Sequence, residues 1–245
     1  MKCALLAAGY ATRLYPLTKD QPKALLDVAG RTILDRILEK VERVETLDEI
    51  IIVTNARFHG YFEEFIARRD SRKRIRCLND GTCDNDRRLG ALADLRLVVM
   101  EAPVNDDLMV LGADNLFDFD LSDFASFFRR VGMDCITTHR IDDVEALRRT
   151  GVVELADDRR VLSFAEKPPS PKSHFAVPPF YIYTRASLPL LEEYLDSGEN
   201  PDAPGNFIPW LLLRRPVYAY EFSGRRYDIG SHESYAEARR VFAGR

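Results

Sequence analysis

Residues 49–54 read EIIIVT, four branched aliphatic residues in succession with no polar residue between them. A strand with one wet face alternates apolar and polar residues, whereas an unbroken run suits a strand buried on both faces. Similar runs recur as CALLAA from Cys3, LMVLGA from Leu108, DCITTH from Asp134 and FYIYT from Phe180. Between the early runs the period changes. Ile33, Leu34, Ile37, Leu38, Val41 and Val44 fall on one stripe of a helix, started by Thr32 or the Gly30-Arg31 pair. Further helices are expected over 58–69 and 87–95. Strands alternating with helices imply right-handed crossovers and a mostly parallel sheet.

The second half reads differently. TGVVELADDRRVLSFAEKP, from Thr150, gives two strands around the Asp157-Asp158 turn, an antiparallel pair. A strand near Phe180, a helix over 186–195 and a Gly/Pro/Asn-rich loop to Pro204 follow. A short helix over 207–213, the strands PVYAYEF and RRYDIG, and a terminal helix from Ser234 complete the chain. No linker and no internal repeat interrupts it. The expected fold is an α/β, Rossmann-like, mostly parallel mixed sheet flanked by helices, with an antiparallel part in the second half. One domain over 1–245 is the economical division.

Composition excludes some functions. The 35 basic and 39 acidic residues give a net charge of -4, against the basic face of a nucleic-acid binder. No apolar run approaches the roughly 20 residues that span a bilayer, and the first residues lack a signal peptide's form. The chain therefore reads as cytoplasmic, with no membrane partner. Cys3, Cys77, Cys83 and Cys135 show no CxxC pairing, which argues against a structural metal or disulfide.

Ligands of a parallel sheet sit beyond the carboxyl ends of its strands. Gly9 follows the first strand, so the loop from Gly9 to Lys23 belongs to that rim. Arg13 offers a planar fork suited to phosphate and Lys23 a point charge. Two cations there suit a polyphosphate; a plain solvated loop is the alternative. There is no GxxxxGK[ST], and GYATRL is not GxGxxG, so neither a Walker-type nor a dinucleotide site is indicated. Asp114, in LMVLGADNLFD, also follows a buried strand, though an Asx turn or helix cap would explain it equally.

LAAGYATRLYPLTKDQPKALLDVAGR, from Leu6, resembles the signature of the sugar-1-phosphate nucleotidyltransferases, the nucleoside-diphosphate-sugar pyrophosphorylases. One position departs: Ala11 stands where the family has its second glycine. The resemblance implies transfer of a nucleoside monophosphate from an NTP to a sugar 1-phosphate. It implies that Leu6, Ala8, Gly9, Arg13 and Lys23 contact the nucleotide. Asp114 in GADN and Asp228 in DIGS are similar to the family's two magnesium ligands, which makes Mg²⁺ the implied cofactor. Gly151, Glu166 and Lys167 match a segment that holds the sugar phosphate. In LNDGTCDNDRRLGALADL, Asn79 or Asp80 would read the base and Gly90 would open the next helix, with a lean to a pyrimidine.

Pro178 and Pro179 stand where many members carry a sugar-binding Asn. That leaves room for another phosphorylated acceptor: phosphocholine, a phosphonate or a cyclitol phosphate. A non-catalytic sensor or scaffold module is the reading from another class. The chain stops soon after the DIGS helix, so an added β-helix domain is not expected.

Overall fold

The computed structural model describes residues 1–101 and 105–244. In chain order its first elements are β1 (Lys2–Leu6), β2 (Asp27–Val28), β3 (Arg31–Thr32), α1 (Ile33–Arg43), β4 (Glu49–Thr54), α2 (His59–Ala67), β5 (Arg74–Asn79), α3 (Ala91–Glu101) and β6 (Leu108–Gly112). Next come β7 (Asn115–Phe117), α4 (Leu121–Val131), β8 (Asp134–Arg140), α5 (Val144–Leu147), β9 (Gly151–Leu155), β10 (Val161–Glu166), β11 (Phe175–Val177) and β12 (Phe180–Tyr183). The last are α6 (Leu188–Asp196), α7 (Phe207–Leu212), β13 (Val217–Glu221), β14 (Arg226–Asp228) and α8 (His232–Ala243).

The main sheet runs β10-β9-β11-β8-β12-β6-β1-β4-β5, with β13 alongside β8. Strands β6, β1, β4 and β5 are mutually parallel, and β12 enters antiparallel between β6 and β8. The β10-β9-β11 portion is antiparallel. The expected α/β class and its antiparallel second half are both present.

Unbroken apolar runs are explained by two cores, one on each face. Ile50 and Ile52 of β4 join Cys3, Leu5 and the α1 stripe in one cluster. Ile51 and Val53 join Ala4, Val110 and residues of α3, α6 and α7 in the other. Each fully buried aliphatic side chain contributes roughly 1.5–3 kcal/mol, so a polar residue at any of the four positions from Ile50 to Val53 would cost stability on one face or the other. Helix α1 starts at a capping box: Asp35 N donates to Thr32 Oγ1 at 3.0 Å while Thr32 N donates to the Asp35 carboxyl, worth about 1 kcal/mol.

Several boundaries move. The third helix begins at Ala91, not Arg87, because Gly90 takes φ 95° and Asp84 caps a separate short 3₁₀ turn over Asn85–Arg87. The terminal helix begins at His232 because Ser231 caps it. Helix α4 lies outside the pattern read above, although Leu121, Phe124, Ala125 and Phe128 carry helical spacing and Asp120 caps it. No helix among the described residues is long and apolar enough to cross a membrane.

Candidate active site

Parallel register brings the ends of β1, β4, β5 and β6 to one rim. Leu6 closes β1, and its carbonyl accepts from Ala113 N at 3.0 Å, while Ala7 N donates to Val53 O at 2.8 Å. The buried Asn55 just after β4 holds the next loop: its Nδ2 donates to Ala8 O at 2.9 Å. Gly9 is exposed and open space lies where a Cβ would project. It is Ala11, not Gly9, that takes the left-handed backbone, at φ 48°. A Cβ there costs about 1–2 kcal/mol. Thr18 Oγ1, donating to Ala11 O at 2.8 Å, ties the turn down.

Of the two loop cations, Lys23 is paired with a carboxylate and Arg13 borders the segment that carries Asp228. Lys23 Nζ donates to Asp114 Oδ2 at 2.6 Å. Arg13 lies by Gly230: a Cβ built there would stand 3.6 Å from Arg13 Nη2 and 3.7 Å from Asp228 Oδ1. Asp114 and Asp228 meet through a small ribbon. Strands β7 and β14 pair antiparallel with Asp228 opposite Asn115, and Ile229 N donates to Asp114 O at 3.2 Å. Burial pulls the Asp114 carboxyl upward, but Lys23, Arg226 and the Asn115 amide outweigh it, so its pKa lies below the ordinary value.

Glu166, Gly151 and Val177 stand side by side across β10, β9 and β11. A Cβ on Gly151 would meet Phe164 Cζ at 2.6 Å, and one on Gly205 would meet Glu166 Oε2 at 2.3 Å. The Glu166 carboxylate is thus packed between two glycines. Burial raises its pKa, and Lys167 opposes in part. Lys167 itself takes φ 46°, with Nζ 3.8 Å from Glu166 Oε1. Pro179 continues the rim: its carbonyl accepts from Gly112 N at 3.0 Å, beside Asp114.

The loop after β5 is folded on itself. Asn79 Oδ1 accepts from Gly81 N at 2.9 Å, and Asp80 Oδ1 accepts from Thr82 N at 2.7 Å and Thr82 Oγ1 at 2.8 Å. Burial raises the Asp80 pKa, and the Thr82 bonds only partly offset it. Tyr10 and Thr82 hydroxyls lie 3.1 Å apart, which joins this loop to the Gly9 loop. Gly90 lies under residues 201–202: a Cβ would stand 2.6 Å from Pro201 O.

The structure therefore gathers Arg13, Lys23, Asp114 and Asp228 at one end of the rim, Glu166 with Lys167 further along it, and Asn79 with Asp80 at the other side. Three residues outside the sequence reading belong to the same neighbourhood: Asn115, Arg226 and Gly205. Arg226 and Asp228 are two apart on one strand and so share a face, the one sequence signal that points to Arg226. Two hard carboxylates fit a cation that completes its shell with water and phosphate oxygens, as magnesium does. Among the described residues no cluster of three or more His, Cys, Asp or Glu is poised to hold a metal.

A rim built this way sets cations beside carboxylates beyond the strand ends of an α/β protein with a largely parallel sheet. The sequence model of the Nucleotidyl transferase family matches residues 2–243, and the chain belongs to that family. It is 28% identical over 242 residues to the UTP–glucose-1-phosphate uridylyltransferase AglF of Haloferax volcanii, covering 97% of this chain and 95% of that one. It is 25% identical over 238 residues to the bifunctional protein GlmU of Methanocaldococcus jannaschii, covering 97% of this chain but only 53% of GlmU, so it spans about half that relative's length. A crystal structure of a UDP-glucose pyrophosphorylase complexed with UDP-glucose has the same fold, with TM-score 0.84 at 22% identity over 99% of this chain and 98% of that one.

Proposed function

We propose that the protein is a nucleotidyltransferase that moves a nucleoside monophosphate from an NTP to a sugar 1-phosphate and releases pyrophosphate. The observation that carries this reading is the convergence of Lys23, Asp114, Arg13 and Asp228 on the rim where the Gly9 loop ends. A phosphate oxygen of the acceptor attacks the α-phosphorus in line. No covalent enzyme intermediate is needed, so the chain's contribution is positioning and electrostatic stabilisation.

Arg13 would stabilise the leaving pyrophosphate and Lys23 the α-phosphate region. Leu6, Ala8 and Gly9 would line the nucleotide, Asn79 and Gly90 the base. Glu166, fixed between Gly151 and Gly205, would accept from sugar hydroxyls, and Lys167 would hold the attacking phosphate. Asp114 and Asp228 would hold Mg²⁺, which when bound offsets the repulsion between the two phosphates.

A second reading keeps the chemistry and changes the acceptor. Pro178 and Pro179 offer no N–H to a ligand, and the Pro179 ring crowds Gly112, with Cγ 3.0 Å from where its Cβ would stand. A phosphocholine, phosphonate or cyclitol phosphate would then replace the hexose phosphate. A matrix of NTPs against these acceptors and hexose 1-phosphates, with magnesium and read by pyrophosphate release, tests both readings. Turnover with one acceptor class alone identifies the substrate. Nucleotide binding without turnover for any acceptor would favour a sensor module.

A further inference from the structure

Arg226 is held in an unusual place. Its Nε donates to Asn115 Oδ1 at 2.5 Å, and its Nη2 lies 3.1 Å from Asp228 Oδ2. Only 14% of its side chain is accessible. Asn115 Nδ2 in turn donates to Asp114 Oδ1 at 2.6 Å. Asp114 Oδ2 is taken by Lys23. The result is one connected chain of polar contacts, Lys23–Asp114–Asn115–Arg226–Asp228, with two positive and two negative charges. It spans the β7–β14 ribbon from one end of the carboxylate pair to the other.

We propose that Arg226 is a positioning residue with an electrostatic task. It locks Asp228 to Asn115 across the ribbon, and its charge keeps the carboxylate pair's affinity for a divalent cation low until a nucleotide binds. This rests on the reading of Asp114 and Asp228 as the metal-holding pair. Two bare carboxylates would attract a divalent ion strongly at short range. With Lys23 and Arg226 attached, the quartet is formally neutral and the attraction is much reduced. A triphosphate changes the balance, because it brings its own negative charge and its own claim on Lys23. The ion is then favoured only together with the nucleotide. Such an arrangement guards against dead-end loading of the acids by metal alone and couples the two ligands reciprocally.

The test uses Mn²⁺ as a paramagnetic probe, with binding read by electron spin resonance on the full chain, with and without a non-hydrolysable α,β-methylene NTP. For the wild type, the nucleotide should tighten protein-bound Mn²⁺ at least about tenfold after the Mn²⁺–nucleotide complex formed without protein is subtracted. Arg226→Ala should bind Mn²⁺ alone at least about tenfold more tightly than wild type, with a smaller further gain from nucleotide. Arg226→Lys should restore the wild-type pattern. Arg226→Gln keeps a hydrogen-bond donor for Asn115 without the charge, and serves if the alanine variant does not fold. Mn²⁺ binding that responds to nucleotide but is the same in wild type, Arg226→Ala and Arg226→Gln would overturn the inference and leave the metal reading standing. No Mn²⁺ held by the protein in any variant, with nucleotide present and beyond what the nucleotide alone chelates, would overturn both.

Discussion

Lys23 and Asp114 are 91 residues apart in sequence and meet at 2.6 Å, ammonium to carboxylate. A loop cation and a strand-end acid thereby form one unit before any substrate is considered. If they act as a unit, their losses do not add. Lys23→Met and Asp114→Asn should each lower turnover by roughly 10²-fold or more, and the double variant should be little worse than the more damaged single. Losses that multiply across the two substitutions, in steady-state rates at saturating metal, would show that the residues work separately.

Gly205 bears on acceptor binding. Its missing Cβ is what lets Glu166 Oε2 lie where it does. Gly205→Ala should push the carboxylate aside and raise the acceptor KM about tenfold or more, the cost of losing one or two buried hydrogen bonds. The nucleotide KM should stay within about twofold. Gly60→Ala is the control, since nothing lies within 4 Å of its Cβ position. An unchanged acceptor KM in Gly205→Ala would remove Glu166 from the acceptor site.

Asp94 gives the protein a pH dependence unrelated to turnover. It is 5% exposed in the first turn of α3, and its Oδ1 has no hydrogen-bond partner among the described residues. Burial, with Asp80 adding, pushes its carboxyl up to about 7. An unfolded Asp ionises near about 3.9. Between those values the native chain binds the proton more tightly, so stability is highest at the acid end of the window and falls as pH rises towards 7. The loss is on the order of 1–4 kcal/mol. Asp94→Asn should flatten it, as read by urea unfolding at pH 5 and pH 8. Equal pH slopes in both proteins would contradict the assignment.

Base choice should follow Asn79. Asp80 is engaged by Thr82 through both oxygens, and the Asn79 oxygen is committed to Gly81 N. That leaves the Asn79 amide N–H groups, donors suited to a pyrimidine carbonyl. Asn79→Ala should change the ranking of NTPs with one fixed acceptor by roughly ten- to hundredfold. Asp80→Ala should act mainly by loosening the loop. An unchanged ranking in both places base reading elsewhere.

What sequence could reveal here follows from range. Both-face burial of β1, β4 and β6 is written in consecutive apolar residues, and strand-end position then places Gly9, Lys23 and Asp114 on a rim. Arg226 and Asn115 are not legible that way. They meet because two three-residue strands pair across 111 positions, and strands that short show no period. Gly205 lies in a loop whose glycine reads as ordinary turn chemistry, and its importance appears only when Glu166 is packed against it. Ala11 is the reverse case: the missing glycine is visible in sequence, but the left-handed turn that it must adopt is visible only in the fold.

Acceptor-dependent pyrophosphate release, compared between wild type and Asp114→Asn at saturating Mg²⁺, tests nucleotidyl transfer at this rim most directly. The proposed reaction predicts release only when an NTP and a phosphorylated acceptor are both present, and a loss of roughly 10²-fold or more in the variant with its fold intact. Release that ignores the acceptor, or an Asp114→Asn variant within about threefold of wild type, where loss of such a contact should cost far more, would contradict it.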